Sequence, residues 1–129
     1  MPETTTELLH GTLVPLILKT LARGRRHGYA IARSIEEATD GVVQVEDGSL
    51  YPALYRMERS GWIEAEWGVS ELGRKAKLYR LTPRGRRQLA AETAEWARFA
   101  AAISHVLLST QRCSAQYVVS AFRRTVRCR

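Results

Sequence analysis

The residues with the most chemistry to offer lie between positions 49 and 59. Ser49, Tyr51, Pro52, Tyr55, Arg56 and Arg59 supply hydroxyls, flat rings and guanidinium groups. Leu50, Leu54 and Met57 recur at i, i+4 and i+7, one apolar stripe of a short helix. Pro52, Tyr55, Arg56 and Arg59 fall on the other face, and Tyr51, next to Leu50, lies between the two. A helix built this way can pack on a domain while its basic, aromatic side lies against a polyanion. Arg56 is the candidate for a guanine edge, where one bidentate pair gives ~1–3 kcal/mol of discrimination. Taken alone, the stretch fits an ordinary surface helix with solvated arginines equally well.

Other chemistry is thin. His10, His27 and His105 stand on separate segments without ligand spacing, and no paired carboxylates accompany them. Ser49 has no His and Asp arrangement to activate it, and no glycine-rich phosphate loop is present. The expectation is therefore no enzyme, no metal and no cofactor. Cys113 and Cys128 are the only cysteines, too few for a disulfide framework or a zinc finger.

The chain has 129 residues, 45% of them hydrophobic, which predicts one small domain with an appended arm. A net charge of +7 and a pI near 10.0 favour an anionic partner, nucleic acid before a membrane surface. The polar start carries Glu3 and Glu7 and is not a signal peptide, and no apolar run suits a membrane span. A cytoplasmic protein without membrane insertion is the expectation.

The elements that must position the basic face follow from periodicity. Thr4 and Glu7 offer a capping box for a first helix reaching about Ala22, with a kink or restart expected at Pro15. Residues 23–28 read as a basic turn, and residues 29–39 as a second helix with Ile31 and Ile35 inward. Asp40-Gly41 ends it, and residues 42–45 read as a short strand-like piece. Ser49 is the expected cap of the third helix and Gly61 its left-handed stop. Residues 62–67 and 77–82 alternate with period two around a loop at 68–76, giving a hairpin with Arg74, Lys75 and Lys77 on its returning side. Thr82-Pro83 starts a long last helix, with Thr82 as cap. The order is that of a winged helix-turn-helix: mainly α with a small β-hairpin, plus a long C-terminal helix. We expect a DNA-binding domain over residues 1–82, a dimerisation helix over 83–108 and a basic extension over 109–129.

Leu89, Thr93, Trp96, Ala100, Ile103 and Leu107 on the last helix are spaced 4, 3, 4, 3, 4, a seam that fits a partner chain or the helix's own domain. Small Thr93 and Ala100 beside Trp96 leave room for a flat ligand stacked on the indole; filling of the interface by Trp96 explains the pattern equally well.

Several runs together resemble the PadR family of winged-helix transcriptional regulators. They are Leu8-Leu9-His10-Gly11-Thr12-Leu13, His27-Gly28-Tyr29-Ala30-Ile31, Gly48-Ser49-Leu50-Tyr51-Pro52-Ala53-Leu54, Gly61-Trp62-Ile63 and Lys77-Leu78-Tyr79-Arg80-Leu81-Thr82-Pro83-Arg84-Gly85. The short C-terminal region resembles the compact branch. The resemblance implies a homodimeric regulator of double-stranded DNA, commonly a repressor, joined through its last helix, with some members answering to phenolic or flat hydrophobic molecules. It also implies an effector cavity to which the first helix contributes, here Leu8, Gly11, Thr12 and Pro15. The expected DNA contacts are Tyr29, Ser49, Tyr51, Pro52, Tyr55 and Arg56 on the helices, and Arg74, Lys75 and Lys77 on the wing. The competing reading is a winged-helix protein–protein adaptor, which would have no need of cations gathered on one footprint.

Overall fold

The computed structural model describes residues 2–109, with side chains from residue 11 onward. Its elements are α1 (Pro2–Ala22), β1 (Arg26–His27), α2 (Gly28–Ala38), α3 (Asp47–Arg59), β2 (Ile63–Val69), β3 (Lys75–Leu81) and α4 (Pro83–Leu108). The strands form one antiparallel sheet in the order β1-β3-β2. The chain divides into a compact unit ending at Ala90 and a second unit beginning at Ala91.

The first unit is built on the apolar stripes of its helices. Ile17 and Leu18 of α1, Ile31 of α2, Leu50, Leu54 and Met57 of α3, and Ile63 of β2 are fully buried in one cluster. Each contributes ~1.5–3 kcal/mol by leaving water. Together they fix α3 with its apolar stripe inward and its basic, aromatic face outward.

The junctions explain how the wing is aimed. Gly61 takes φ +81°, and the Gly61 and Trp62 amides donate to the carbonyls of Glu58 (3.1 Å) and Met57 (3.0 Å). This is the paired-bond stop of a helix end, and it turns the chain directly into β2. At the far end of the hairpin, Thr82 Oγ1 accepts from the Gly85 amide (3.0 Å) and donates to the Gly61 carbonyl (2.7 Å). Thr82 thus caps α4 and ties it to the end of α3. Gly85 is buried where any Cβ would collide with the Trp62 carbonyl oxygen.

Several expectations are corrected. The first helix begins at Pro2, so Thr4 lies within it rather than at its start. It continues through Pro15 without a restart. Gly11, four residues earlier, holds the carbonyl that the proline ring would crowd, and a glycine there can tilt that carbonyl away. The third helix begins at Asp47 after Glu46, and Ser49 sits in its first turn rather than at its cap. The Ser49 and Leu50 amides both donate to the Glu46 carbonyl at 2.9 Å.

Residues 42–45 form no strand. The Val43 amide is taken by Thr39 Oγ1 (3.0 Å) and the Val45 amide by Glu36 Oε2 (3.1 Å), so α2 side chains claim the donors a strand would need. The third strand is instead β1, inside the expected basic turn, where Arg26 and His27 pair with Tyr79 and Leu78. The hairpin strands are longer than expected, and only residues 70–74 form the turn. The helical pattern expected at residues 114–126, the arginines around it, and Cys113 and Cys128 lie outside the described residues. Among those described, no helix is long and apolar enough to cross a membrane, and no three His, Cys, Asp or Glu side chains gather to hold a metal ion.

Candidate nucleic-acid interface

The outward face of α3 carries Tyr51, Pro52, Tyr55, Arg56 and Arg59, all exposed, with Ser49 partly covered. The Arg59 guanidinium lies 5.7 Å from the Tyr55 ring centroid, so the ring and one cation share a position on the helix. Among the described residues, Arg56 makes no ion pair.

The wing has two different faces. Cross-strand partners share a face, so Ile63–Leu81, Ala65–Tyr79, Trp67–Lys77 and Val69–Lys75 stand together. Ile63 and Tyr79 at its root are buried in the core, which turns this face inward toward α3. The outer face carries Glu64 paired with Arg80, and Glu66 3.5 Å from Arg25. Charge is neutralised there. Arg74 and Lys75, at the turn, are exposed and form no ion pair among the described residues. Lys77 is held more tightly. Its ammonium lies 3.7 Å from Glu58 and 5.7 Å from the Trp67 ring centroid.

The entry to α2 closes the arrangement. His27 precedes the helix without a side-chain cap; its Nδ1 donates to the Lys77 carbonyl at 2.9 Å. A carbonyl can only accept, so Nδ1 carries the proton and Nε2 is left as the other polar atom. Tyr29 stacks beside His27 with centroids 5.9 Å apart. Gly28 is buried, and a Cβ there would lie 2.7 Å from the Tyr51 hydroxyl. The absent side chain gives Tyr51 its seat between α3 and α2.

A cleft of about 420 Å³ runs between these pieces. The α2 entry gives it His27, Gly28 and Tyr29; α3 gives Tyr51, Tyr55 and Glu58; the wing gives Trp67, Ala76, Lys77 and Tyr79. Burial pushes the phenol pKa values of Tyr51 and Tyr79 up, with Asp47 adding to the first and Glu58 and Tyr51 to the second. Both rings therefore keep their protons, and both hydroxyls remain donors at neutral pH.

Four of the expected contact residues, Tyr29, Tyr51, Tyr55 and Lys77, meet around this cleft. Ser49, Pro52 and Arg56 lie on α3 away from its walls, and Arg74 and Lys75 lie at the wing turn. His27, Gly28, Glu58, Trp67 and Tyr79 were not among the expected site residues. The period-two alternation of Ile63, Ala65 and Trp67 is the signal that could have found Trp67, since it puts the three on one face of the strand. The seating of Tyr51 on Gly28 joins residues 23 positions apart and leaves no local signal.

The sequence profile of the transcriptional regulator PadR-like family matches residues 17–91, more than half of the chain. The chain belongs to the PadR-like family of transcriptional regulators. The PadR-like fold is equally evident among solved structures. A transcriptional regulator from Clostridium thermocellum superposes with a TM-score of 0.72 at 28% identity, covering 78% of this chain and 98% of that one. A PadR family regulator from Eggerthella lenta gives 0.69 at 31% identity, covering 84% and 93%. A PadR-like regulator from Bacillus cereus gives 0.68 at 28% identity, covering 81% and 99%. An uncharacterized protein of Lysinibacillus sphaericus is 33% identical over 91 residues, 70% of this chain and 84% of its own length. Membership makes the chain a winged-helix, DNA-binding transcriptional regulator.

From Ala91 onward α4 has no buried residue: Trp96, Phe99, Ile103, Val106 and Leu107 are all exposed. Trp96 and Phe99 contact each other with centroids 6.1 Å apart. Of the heptad seam, Thr93 is exposed and Ala100 partly covered; Leu89 belongs to the first unit and packs against its core. In α1, Gly11 is exposed, Thr12 and Pro15 are partly covered, and the Leu8 side chain lies outside those described.

Proposed function

We propose that this PadR-like regulator is a homodimeric repressor that reads a pseudo-palindromic operator with α3 and its wing. The observation that carries the reading is the split of α3. Leu50, Ala53, Leu54 and Met57 are buried, while Pro52, Tyr55 and Arg56 stand exposed, and the wing turn carries two further exposed cations, Arg74 and Lys75, that form no ion pair among the described residues. The buried set fixes the helix, and the exposed set is free to enter a major groove. Arg56 reads a base edge; Arg74 and Lys75 hold the flanking backbone. Two copies related by a two-fold axis would place two such helices one duplex turn apart, ~34 Å.

The exposed apolar residues of α4 support dimerisation, since Trp96, Ile103 and Leu107 lie along one heptad seam and are exposed among the described residues. A flat hydrophobic effector stacked on Trp96, with Thr93 and Ala100 beside it, would couple ligand to operator release. The test is a titration of the purified protein against DNA upstream of its own gene, followed by fluorescence anisotropy over a salt series. Affinity should fall steeply with salt as counterions are released. Affinity independent of salt, or equal for that DNA and an unrelated duplex, overturns the reading.

A further inference from the structure

The wing turn, residues 70–74, is closed through a single residue. Among the described residues, four hydrogen bonds close it, and each has Ser70 at one end. The Ser70 amide donates to the Arg74 carbonyl at 2.8 Å, and the Ser70 carbonyl accepts from the Gly73 amide at 2.9 Å. The Ser70 hydroxyl oxygen accepts from the amides of Leu72 and Arg74, both at 3.3 Å.

The residue types account for this form. A type I turn favours serine at its first position and glycine at its fourth, and a left-handed glycine then returns the chain to the ladder. Gly73 takes φ +78°. In a plain antiparallel pair, Ser70 and Arg74 would exchange two backbone bonds. Here Gly73 has taken the Ser70 carbonyl, and the Ser70 hydroxyl answers the Arg74 amide in its place. Nothing else holds the turn. Glu71, Leu72, Gly73, Arg74 and Lys75 are all exposed, so no packing fixes their backbone. Lys75 is the first residue of the ladder beyond it, opposite Val69. A turn left loose would have to be ordered when its side chains bind, and that ordering weakens binding.

We propose that Ser70 is a positioning residue for DNA: its hydroxyl holds the wing turn, before DNA arrives, in the shape that presents Arg74 and Lys75. Ser70 acts through the two cations and not by a contact of its own. The proposal rests on the operator reading above, in which those cations hold the flanking backbone.

The test uses the full chain. Ser70→Ala removes both bonds to the hydroxyl. Ser70→Asn keeps them, because a side-chain amide oxygen accepts from the same backbone amides. Gly73→Ala strains the left-handed position and loosens the turn by an independent route. Circular dichroism confirms that each variant is folded. In anisotropy titrations on the DNA upstream of the gene, Ser70→Ala and Gly73→Ala should each bind about threefold to tenfold more weakly, and Ser70→Asn within about twofold of the wild type. Once Arg74→Ala and Lys75→Ala are in place, Ser70→Ala should have no further effect. In the free protein, amide exchange followed by NMR should be slow at Leu72 and Arg74 in the wild type and in Ser70→Asn, and fast in Ser70→Ala. Wild-type affinity in Ser70→Ala overturns the proposal. So does a loss that Ser70→Asn does not rescue, or one that persists in full without Arg74 and Lys75. Fast exchange at Leu72 and Arg74 in the wild type shows that no lock exists, whatever DNA does. Slow exchange there, combined with DNA affinity that ignores salt, leaves the lock standing but defeats the operator reading and with it the DNA role of Ser70.

Discussion

Gly28 and Gly85 are both closed to a methyl group, but by different neighbours. At Gly85 the obstacle is the Trp62 backbone carbonyl, with Leu81 Cδ1 2.7 Å away, and backbone tied into the sheet cannot yield. Gly85→Ala should cost on the order of 2–4 kcal/mol, read from urea unfolding. At Gly28 the obstacle is the Tyr51 side chain, which is 42% exposed and can swing outward. Gly28→Ala should leave stability nearly unchanged yet displace Tyr51 from its seat and weaken DNA binding; an unchanged affinity would show that the seat does not matter. The tyrosines add a pH signature. Tyr51 and Tyr79 hold their protons in the folded state above tyrosine's ordinary pKa of 10.0. Above that pH the unfolded chain has released protons that the folded chain keeps. Stability from this source is therefore complete below pH 10 and falls as pH rises beyond it. In Tyr79→Phe the fall should be shallower. Stability at pH 7 should change by less than about 1 kcal/mol, because the hydroxyl it removes has no protein partner to lose.

At the scale of elements, the prolines show what sequence patterning conveys. Pro2 and Pro83 start helices, where a missing amide costs nothing. Pro15 and Pro52 stand inside helices, and in both cases the residue four positions earlier is glycine, Gly11 and Gly48. The carbonyl each proline ring crowds thus belongs to the residue best able to rotate it. In an ordinary helix interior Gly→Ala stabilises by ~1 kcal/mol. Gly48→Ala should stabilise by this amount in a Pro52→Ala background and by much less in the wild type, so a double-mutant cycle of thermal unfolding should show coupling between the two sites. Additivity within error would refute the pairing. These glycines are visible in the sequence; the tolerance they confer on Pro15 is not, because propensity treats each residue alone. The strand expected at residues 42–45 failed for a related reason. Its valines have strand character, but a strand needs a partner, and here Thr39 and Glu36 take the amides. Arg26 and His27 have no strand character and become one because β3 offers them a free edge. The α3 stripe, the Gly61 stop and the Thr82 cap were legible because each depends on residues a few positions apart. The cleft was not, because it joins residue 27 to residue 79.

Over the whole molecule, a charge of +7 is spent unevenly. Glu64 and Glu66 neutralise Arg80 and Arg25 on the outer wing, and Glu58 holds Lys77. The count of 20 basic residues therefore overstates the phosphate contacts available, and under the operator reading the wing is expected to contribute mainly through Arg74 and Lys75. Each of Arg74→Ala and Lys75→Ala should reduce the slope of log affinity against log salt by about 1, whereas Lys77→Ala should reduce it by less. The second whole-molecule quantity is assembly. A single winged-helix unit presents one reading helix, and sequence-specific affinity grows when two are held at fixed spacing. The proposed means of holding them is the exposed apolar side of α4. Ile103→Glu with Leu107→Glu places carboxylates on that seam at residues that are not part of the first unit's core cluster, to which α4 contributes Leu89. The double variant should sediment as a monomer and keep the helical signal of its winged-helix unit. It should bind a single half-site as the wild type does, and lose most of its affinity for the full operator. If it remained dimeric, the seam would lie elsewhere on the chain. If it became monomeric with full operator affinity, each unit would read DNA independently and the two-fold operator would be wrong.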